Sequence, residues 1–593
     1  MVGHRSLTLG RGTDLLYLSG FSRFAFSRDG GKWILPWLVI LVMLPVRGTL
    51  AQDDSALECR PEFEPAGPGF DFTGSQTETV PVPGDVAVGE VIYTRLPIFD
   101  EDDPRENNFL FRWANRIHVL TREQTLAQEL LFTSGEVYDG RLLQESARIL
   151  RRQGFVHDAA IRPVSQCGGV VDVEVITKDN WSLTPNLSFD RQGGDNTYSF
   201  GLSESNLSGW GKSLAFTLAR ERDRRTRELK YRDPNVSGTR LRNYTAIIDS
   251  DEGELYEFDL GLPFYSLQSR NAWSVNLKNE ERQDEQFYRG REVNEVIHEI
   301  DDYSVDVGLS GGLIEGTIRR WRFGYRYEQH RFRRSPDLPP PDLFPRDRRL
   351  SYPFITFALV EDDFVTAFNL DQLYRTEDLH LGRDLSLTLG FATDALGSDQ
   401  NRLVFRGRYG NTLNYDRISL WQHHLRVEGF WNETSGQSED VLISYENRYF
   451  RRQADNRSFF ASFNATWSHN LNSHRQVLLG GASGARAFKN EFQTGDRKVL
   501  LTLEERVYSD LHLLNLIRVG AALFIDVGRA WAPGADDGLQ ENWLANIGFG
   551  LRLASSKAAS ARLAHLDFAF PLTNRDDPAV DTVQVAFTVK GSF

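Results

Sequence analysis

The sequence predicts a mainly β chain: a transmembrane antiparallel β-barrel of about 16 strands preceded by a small α+β domain. Three observations point there. An apolar run near the start has the layout of an export signal. Period-two alternation recurs from about residue 180 to the end. The polar faces of those strands hold Gly, Ser, Asn, Arg and Asp, where a soluble sandwich would bury Leu and Ile. Composition excludes other classes. A net charge of −14 gives no footing for nucleic-acid binding. A mean hydropathy of −0.41 excludes a bundle of membrane helices, each of which needs roughly 20 apolar residues in a row.

Residues 1–51 are expected to be a signal peptide. The apolar run Trp33 to Val46, interrupted by Pro36 and Pro45, follows Arg23, Arg28 and Lys32 and leads to Thr49-Leu50-Ala51, with cleavage after Ala51. Residues 52–110, with Pro61, Pro65, Pro68, Pro81 and Pro83 and the acidic tract Asp100 to Asp103, read as a periplasmic arm or linker. One or two short strands such as Glu90 to Tyr93 fall within it.

A compact unit is expected over 111–178. Arg112 to Val119 alternates like a strand, and Thr121 is placed to cap a helix over Arg122 to Leu131. Gly140 opens a second helix, Arg141 to Arg152, whose Leu142, Leu143, Ser146, Ile149 and Leu150 form one face, and Gly154 ends it. Two strands, Ala159 to Pro163 and Val170 to Ile176, close a βααββ unit about the turn Cys167-Gly168-Gly169.

The barrel is assigned to 181–593. Phe459, Ala461, Phe463, Ala465 and Trp467 share one face; so do Val519, Ala521, Leu523, Ile525 and Val527, and Ala545, Ile547, Phe549, Leu551 and Leu553. The final strand sets Val583, Val585, Phe587, Val589 and Phe593 against Gln584, Thr588, Lys590 and Ser592. Phe460, Phe524 and Ala586 interrupt the polar faces. An apolar outer face and a wet lumen suit a closed barrel in lipid, where closure pairs every backbone group.

Several strings add a family resemblance. Gly135, Tyr138, Leu142, Ser146, Leu150 and Gly154-Phe155, in that order of elements, resemble a POTRA domain. Within the barrel region, Glu204-Ser205-Asn206-Leu207-Ser208-Gly209 and Tyr231-Arg232-Asp233-Pro234 resemble turns of the outer-membrane assembly and transporter superfamily that includes BamA-like, TamA-like and bacterial surface antigen proteins. Gly484-Ala485-Arg486-Ala487-Phe488 resembles that superfamily's loop folded into the lumen, with Ala487 where the pattern has Gly. Glu504-Glu505-Arg506 and Phe524-Ile525-Asp526-Val527-Gly528 resemble the two strand motifs that follow.

The resemblance implies a protein of the Gram-negative outer membrane, its N-terminal domain in the periplasm, that inserts outer-membrane proteins or translocates polypeptide. The alternatives are a two-partner-secretion type exporter and a non-catalytic structural or porin-like barrel. The partners it implies are outer-membrane lipid, unfolded polypeptide clients and periplasmic chaperones or accessory proteins; no nucleic acid and no cofactor is expected.

It also implies that Arg486, beside Phe488, tethers the loop to Glu504 and Asp526, and that the terminal Phe593 is the barrel assembly signal, on a closing strand paired with Trp181 to Phe189. Cys59 and Cys167 are the only cysteines, both ahead of the barrel, and are expected to form a disulfide across a loop of about 109 residues. Two free thiols on denatured, unreduced mature protein would refute that bridge. No enzyme is expected. Gly308-Leu309-Ser310-Gly311-Gly312 fits a nucleophile-elbow pattern but no helix pattern follows it. His423-His424 points to opposite faces of a strand, and no metal site is read from the spacing of the other histidines.

Overall fold

The computed structural model describes residues 65–72 and 85–590, apart from short stretches at 168, 193–194, 222–223, 371, 374, 414–415, 417, 533–541 and 559–562. The expected signal peptide, Cys59, the side chain of Cys167 and Phe593 lie outside the described residues.

The N-terminal domain runs β1 (Ala87–Leu96), α1 (Phe109–Ile117), α2 (Glu123–Glu129), α3 (Gly140–Arg151), β2 (Val156–Cys167) and β3 (Val170–Asp179). Its sheet has the order β1-β3-β2, with β1 parallel and β2 antiparallel to the central β3. Val88, Leu126, Leu143, Leu150, Phe155 and Val173 form the core between this sheet and the helices. On α3 the polar Ser146 belongs to the buried face because its hydroxyl donates to Leu142 O at 2.6 Å and accepts from Leu131 N at 2.9 Å.

Three expectations are corrected here. The stretch Arg112 to Val119 lies largely in a helix, not a strand. Asn108 caps α1 by accepting from Phe111 N at 3.0 Å, and Phe111 and Ala114, three residues apart, are its buried face. The alternation there is produced by charged residues on a mostly exposed helix. The first strand of the unit is instead β1, inside the segment assigned to the arm. Its partner is β3, some 80 residues later, a long-range pairing that no local pattern announces. Thr121 does not cap α2; its N–H and hydroxyl both donate to Asp179.

From Leu183 onward the chain forms one antiparallel sheet of twenty strands whose order runs in a ring. The expected number was about 16, from a uniform allowance of roughly 26 residues per strand and connection. The first six strands, from Leu183–Gln192 to Gly253–Leu262, are only 9 or 10 residues long and tightly connected. Later strands are mostly longer, up to Arg291–Ile314 with 24. Among the described residues the closing strand, Gln584–Lys590, registers with the first at Phe587 with Arg191, outside the expected partner segment Trp181 to Phe189. Trp181 forms an isolated bridge with Ala558 instead.

The alternation has the expected sense. Along Ile517–Trp531, Leu523 and Ile525 are 63% and 39% exposed, whereas Phe524 and Asp526 are 2% and 1% exposed. Phe200, Phe216, Val307, Trp321, Leu389 and Phe549 are exposed in the same way on other strands. Among the described residues no helix is long and apolar enough to cross a membrane.

Candidate functional site

The connection between strands Arg457–His469 and Arg497–Leu513 folds inward as a loop over residues 470–496. A small hairpin pairs Val477–Leu479 with Gln493–Gly495, and the tip between them turns through Gly480 at φ +132°. A Cβ on Gly480 would lie 2.3 Å from Lys489 O, so this turn requires glycine. The non-glycine residues of the tip at positive φ are Ala485, at 59°, and Glu491, at 52°. Ala487 is not among the residues with positive φ, so its methyl meets no left-handed strain, and it is fully buried.

Arg486 stands at the centre of the site. Its Nε and Nη2 donate to the two oxygens of Asp526 at 2.9 and 2.8 Å, and Nη1 donates to Glu504 at 3.0 Å. Asp567 lies 3.6 Å from Nη1. The guanidinium is stacked 3.5 Å above the Phe524 ring. Asp526 also accepts from Thr502 at 3.0 Å and Asn546 at 2.9 Å. Glu504 accepts from Arg506 at 3.1 Å, and Arg506 in turn lies 3.9 Å over Phe460. Arg552 donates to Asp567 at 2.5 Å. Three guanidinium and three carboxylate groups therefore balance in a nearly dry pocket, where a lone charge would cost several kcal/mol.

Phe488 is buried among Leu479, Phe492, Leu500, Phe524 and Leu544, which anchors the tip by apolar packing beside the ion network. The structure thus brings Arg486, Phe488, Glu504 and Asp526 together. Sequence reasoning missed the aromatic platforms. Phe460 and Phe524, the two large breaks in the polar alternation, each carry an arginine. It also missed the Arg552–Asp567 pair. Alternation does put both on inner faces, but it does not identify partners.

A second constellation joins the N-terminal domain to turns of the ring. Asn206 donates to Thr121 at 2.8 Å, and Thr125 donates to Gly209 O at 2.9 Å. Asn235 donates to Glu129 at 2.6 Å, Arg240 to Leu130 O at 2.5 Å, and Leu267 N to Glu145 at 2.7 Å. Arg151 pairs with Asp378 at 2.5 Å, and Lys557 with Glu106 at 2.7 Å. These turns belong to one end of the ring and are spread around it, so the domain covers that mouth. Burial raises Glu129, Glu145 and Asp158 above the ordinary carboxylate range. It also holds His157 well below the ordinary imidazole range, helped by Arg375, Lys178 and Lys557.

Other sequence candidates are placed elsewhere. Ser310 lies on strand Arg291–Ile314, with no helix after it, and its hydroxyl accepts from Gly312 N at 3.0 Å. His423 is 2.7 Å from the Tyr445 hydroxyl on a neighbouring strand.

The ring and its inward loop define an antiparallel β-strand enclosure with a tethered loop inside it. No protein-family model matches the chain, and no curated protein matches it. Among solved structures it is similar to BamA from Haemophilus ducreyi lacking POTRA domains 1–3 (13% identity, 85% of each chain covered, TM-score 0.38). It is also similar to CdiB from Acinetobacter baumannii (12% identity, 90% of this chain and 95% of that one, TM-score 0.41). A third is the FrpB iron transporter from Neisseria meningitidis, F5-1 variant (10% identity, 73% and 86% covered, TM-score 0.37). Likeness at this level assigns no activity.

Proposed function

We propose that this chain is an outer-membrane β-barrel with a periplasmic POTRA domain and that it inserts polypeptide into the outer membrane. The outward apolar strand faces and the charged inner wall suit lipid outside and water inside. At the covered mouth a cavity of about 690 Å³ lies between α3, the edge strand β2 and residues 364–370, lined by Arg148, Ala160, Pro163 and Phe368. An extended client segment placed there would add to the β2 edge.

The observation that carries the insertase reading is the seam. Among the described residues, neighbouring strands of the ring pair over seven to eighteen positions, whereas the register described between the first and last strands is Phe587 with Arg191. A seam with so few ladder bonds opens at low cost and offers strand edges to a client. Neither step calls for a cofactor.

The test is a seam lock, Arg191→Cys with Phe587→Cys, in proteoliposomes supplied with an unfolded barrel client. Oxidation is expected to stop client insertion and reductant to restore it. Undiminished insertion with the seam locked would contradict the reading. Secretion that survives the seam lock but stops when the inward loop is cross-linked to its wall would favour an exporter.

A further inference from the structure

The inward loop is held at two walls of the ring. Arg486 holds its tip to the strand Arg497–Leu513 and its neighbours, while the first arm of the loop crosses to strands Asn271–Tyr288 and Arg291–Ile314. Asn271–Tyr288 lies nine positions from Arg497–Leu513 in the ring of twenty. Phe287 N donates to Gln476 there at 2.8 Å, and Gln286 donates to Ser473 O.

Beside these bonds sits an unusual set of side chains. Asp284 from one strand, His298 from the next and His474 from the loop each offer a ligand atom, and those atoms lie within 4.8 Å of one another. Asp284 Oδ2 is 2.5 Å from His298 Nδ1 and 3.8 Å from His474 Nε2. His298 Nε2 is 2.9 Å from His330 Nδ1 on the following strand. The Phe332 ring closes the site, 4.3 Å from the His298 ring and 4.8 Å from the His474 ring.

We propose that Asp284, His298 and His474 form a binding site for a transition-metal dication of the zinc class, which fastens the first arm of the inward loop to the wall. The chemistry of the donors fits. Two imidazoles and one carboxylate are a borderline-soft set that zinc accepts, leaving a fourth position for water. His330 is placed as the outer partner of His298, accepting from its Nε2–H once the cation has replaced the proton at Nδ1.

His474 is nine-tenths buried and presents Nε2 toward Asp284, so a cation held there would be ligated inside the wall and not at its surface. Binding exchanges the proton shared by Asp284 and His298 for the cation. It needs Asp284 and His298 to part by about 1 Å and His474 to close by up to about 1 Å, since bonds of roughly 2.0–2.2 Å set tetrahedral ligands about 3.5 Å from one another. Neither the Arg486 network nor the seam takes part, so the site stands apart from the insertase reading.

The test uses untagged full-length protein in detergent, stripped with chelator and dialysed against micromolar zinc chloride. Elemental analysis is expected to find about one zinc per chain. His298→Ala and His474→Ala are each expected to lose it, and His330→Ala to weaken binding by about 10–100-fold. Zinc is also expected to slow tryptic cleavage after Arg475 in the wild type and not in His298→Ala. Should a histidine variant fail to migrate as a folded barrel, Asp284→Asn, which keeps size and shape, takes its place. Absence of stoichiometric zinc in the wild type, or equal zinc in the wild type and the folded variants, would overturn the proposal.

Discussion

The two arcs of the ring that meet at the seam are built differently. In the arc of the strands Arg497–Leu513, Ile517–Trp531 and Leu544–Ser555, the inner wall is covered by the loop and its ion pairs are dry. The partner side chains are 9% and 2% exposed in Arg486–Asp526, 1% and 7% in Arg506–Glu504, and 0% and 3% in Arg552–Asp567. In the arc from Leu183–Gln192 to Gly253–Leu262 the strands are short and the pairs are wet, with Lys230–Glu228 at 38% and 23%. The same residue types therefore do different work. Where water is excluded, removing one partner strands a charge; where water remains, the pair contributes little. A rigid arc and a soft arc on either side of the seam make an arrangement in which opening is localised.

The contrast can be broken most strongly at Arg486. Arg486→Ala leaves Asp526 and Glu504 without their main cation and is expected to cost about 3–5 kcal/mol. Unfolding midpoints in denaturant, with proteolysis of the loop as a second readout, check this; an unchanged midpoint and a protected loop would contradict it.

Gly548→Ala sharpens the same point through packing. A Cβ there would meet the Phe524 ring at 2.3 Å, and it would displace the platform beneath Arg486 at a cost of about 1–3 kcal/mol. The loop of this variant is expected to become protease-sensitive while the barrel still migrates as folded.

Acidification probes the mouth instead. His157 is depressed by burial, so its neutral form stabilises the docked domain above the ordinary imidazole value of 6.5, and that stability is lost as pH falls below it. Asp158 and Glu145, raised by burial, act in the opposite sense. Their contribution is absent at neutral pH and grows as pH falls through their raised values toward the ordinary 3.8 and 4.5. From about pH 7.5 to about pH 5.5 the histidine is expected to dominate. The domain's melting temperature should fall by a few degrees, and His157→Gln should reduce that fall.

The smallest effect belongs to the wet arc. Lys230→Ala is expected to change stability by no more than about 1 kcal/mol. A loss as large as that of Arg486→Ala would erase the distinction between the arcs.

Much of this was legible in the sequence because β alternation is a local signal. Leu523, Ile525, Ile547 and Phe549 read as outward, and they are. Arg486, Glu504 and Asp526 were joined by motif resemblance, since 40 residues separate the first from the last and no spacing links them. The strand number was overestimated in length and underestimated in count because the six short strands have little room for a pattern. β1 was hidden by its distant parallel partner, and α1 by an accidental alternation of charge on a helix whose buried apolar face is Phe111 and Ala114. The imidazole cluster was illegible for the same reason as the ion network. His298, His330 and His474 lie on two strands and a loop, and only the ring brings them into contact.

Amide hydrogen exchange on the detergent-purified protein tests the two-arc picture most directly. Strands Arg497–Leu513, Ile517–Trp531 and Leu544–Ser555 are expected to exchange slowest, and Leu183–Gln192 and Gln584–Lys590, beside the seam, fastest. Uniform protection around the ring, or faster exchange behind the loop than at the seam, would contradict it.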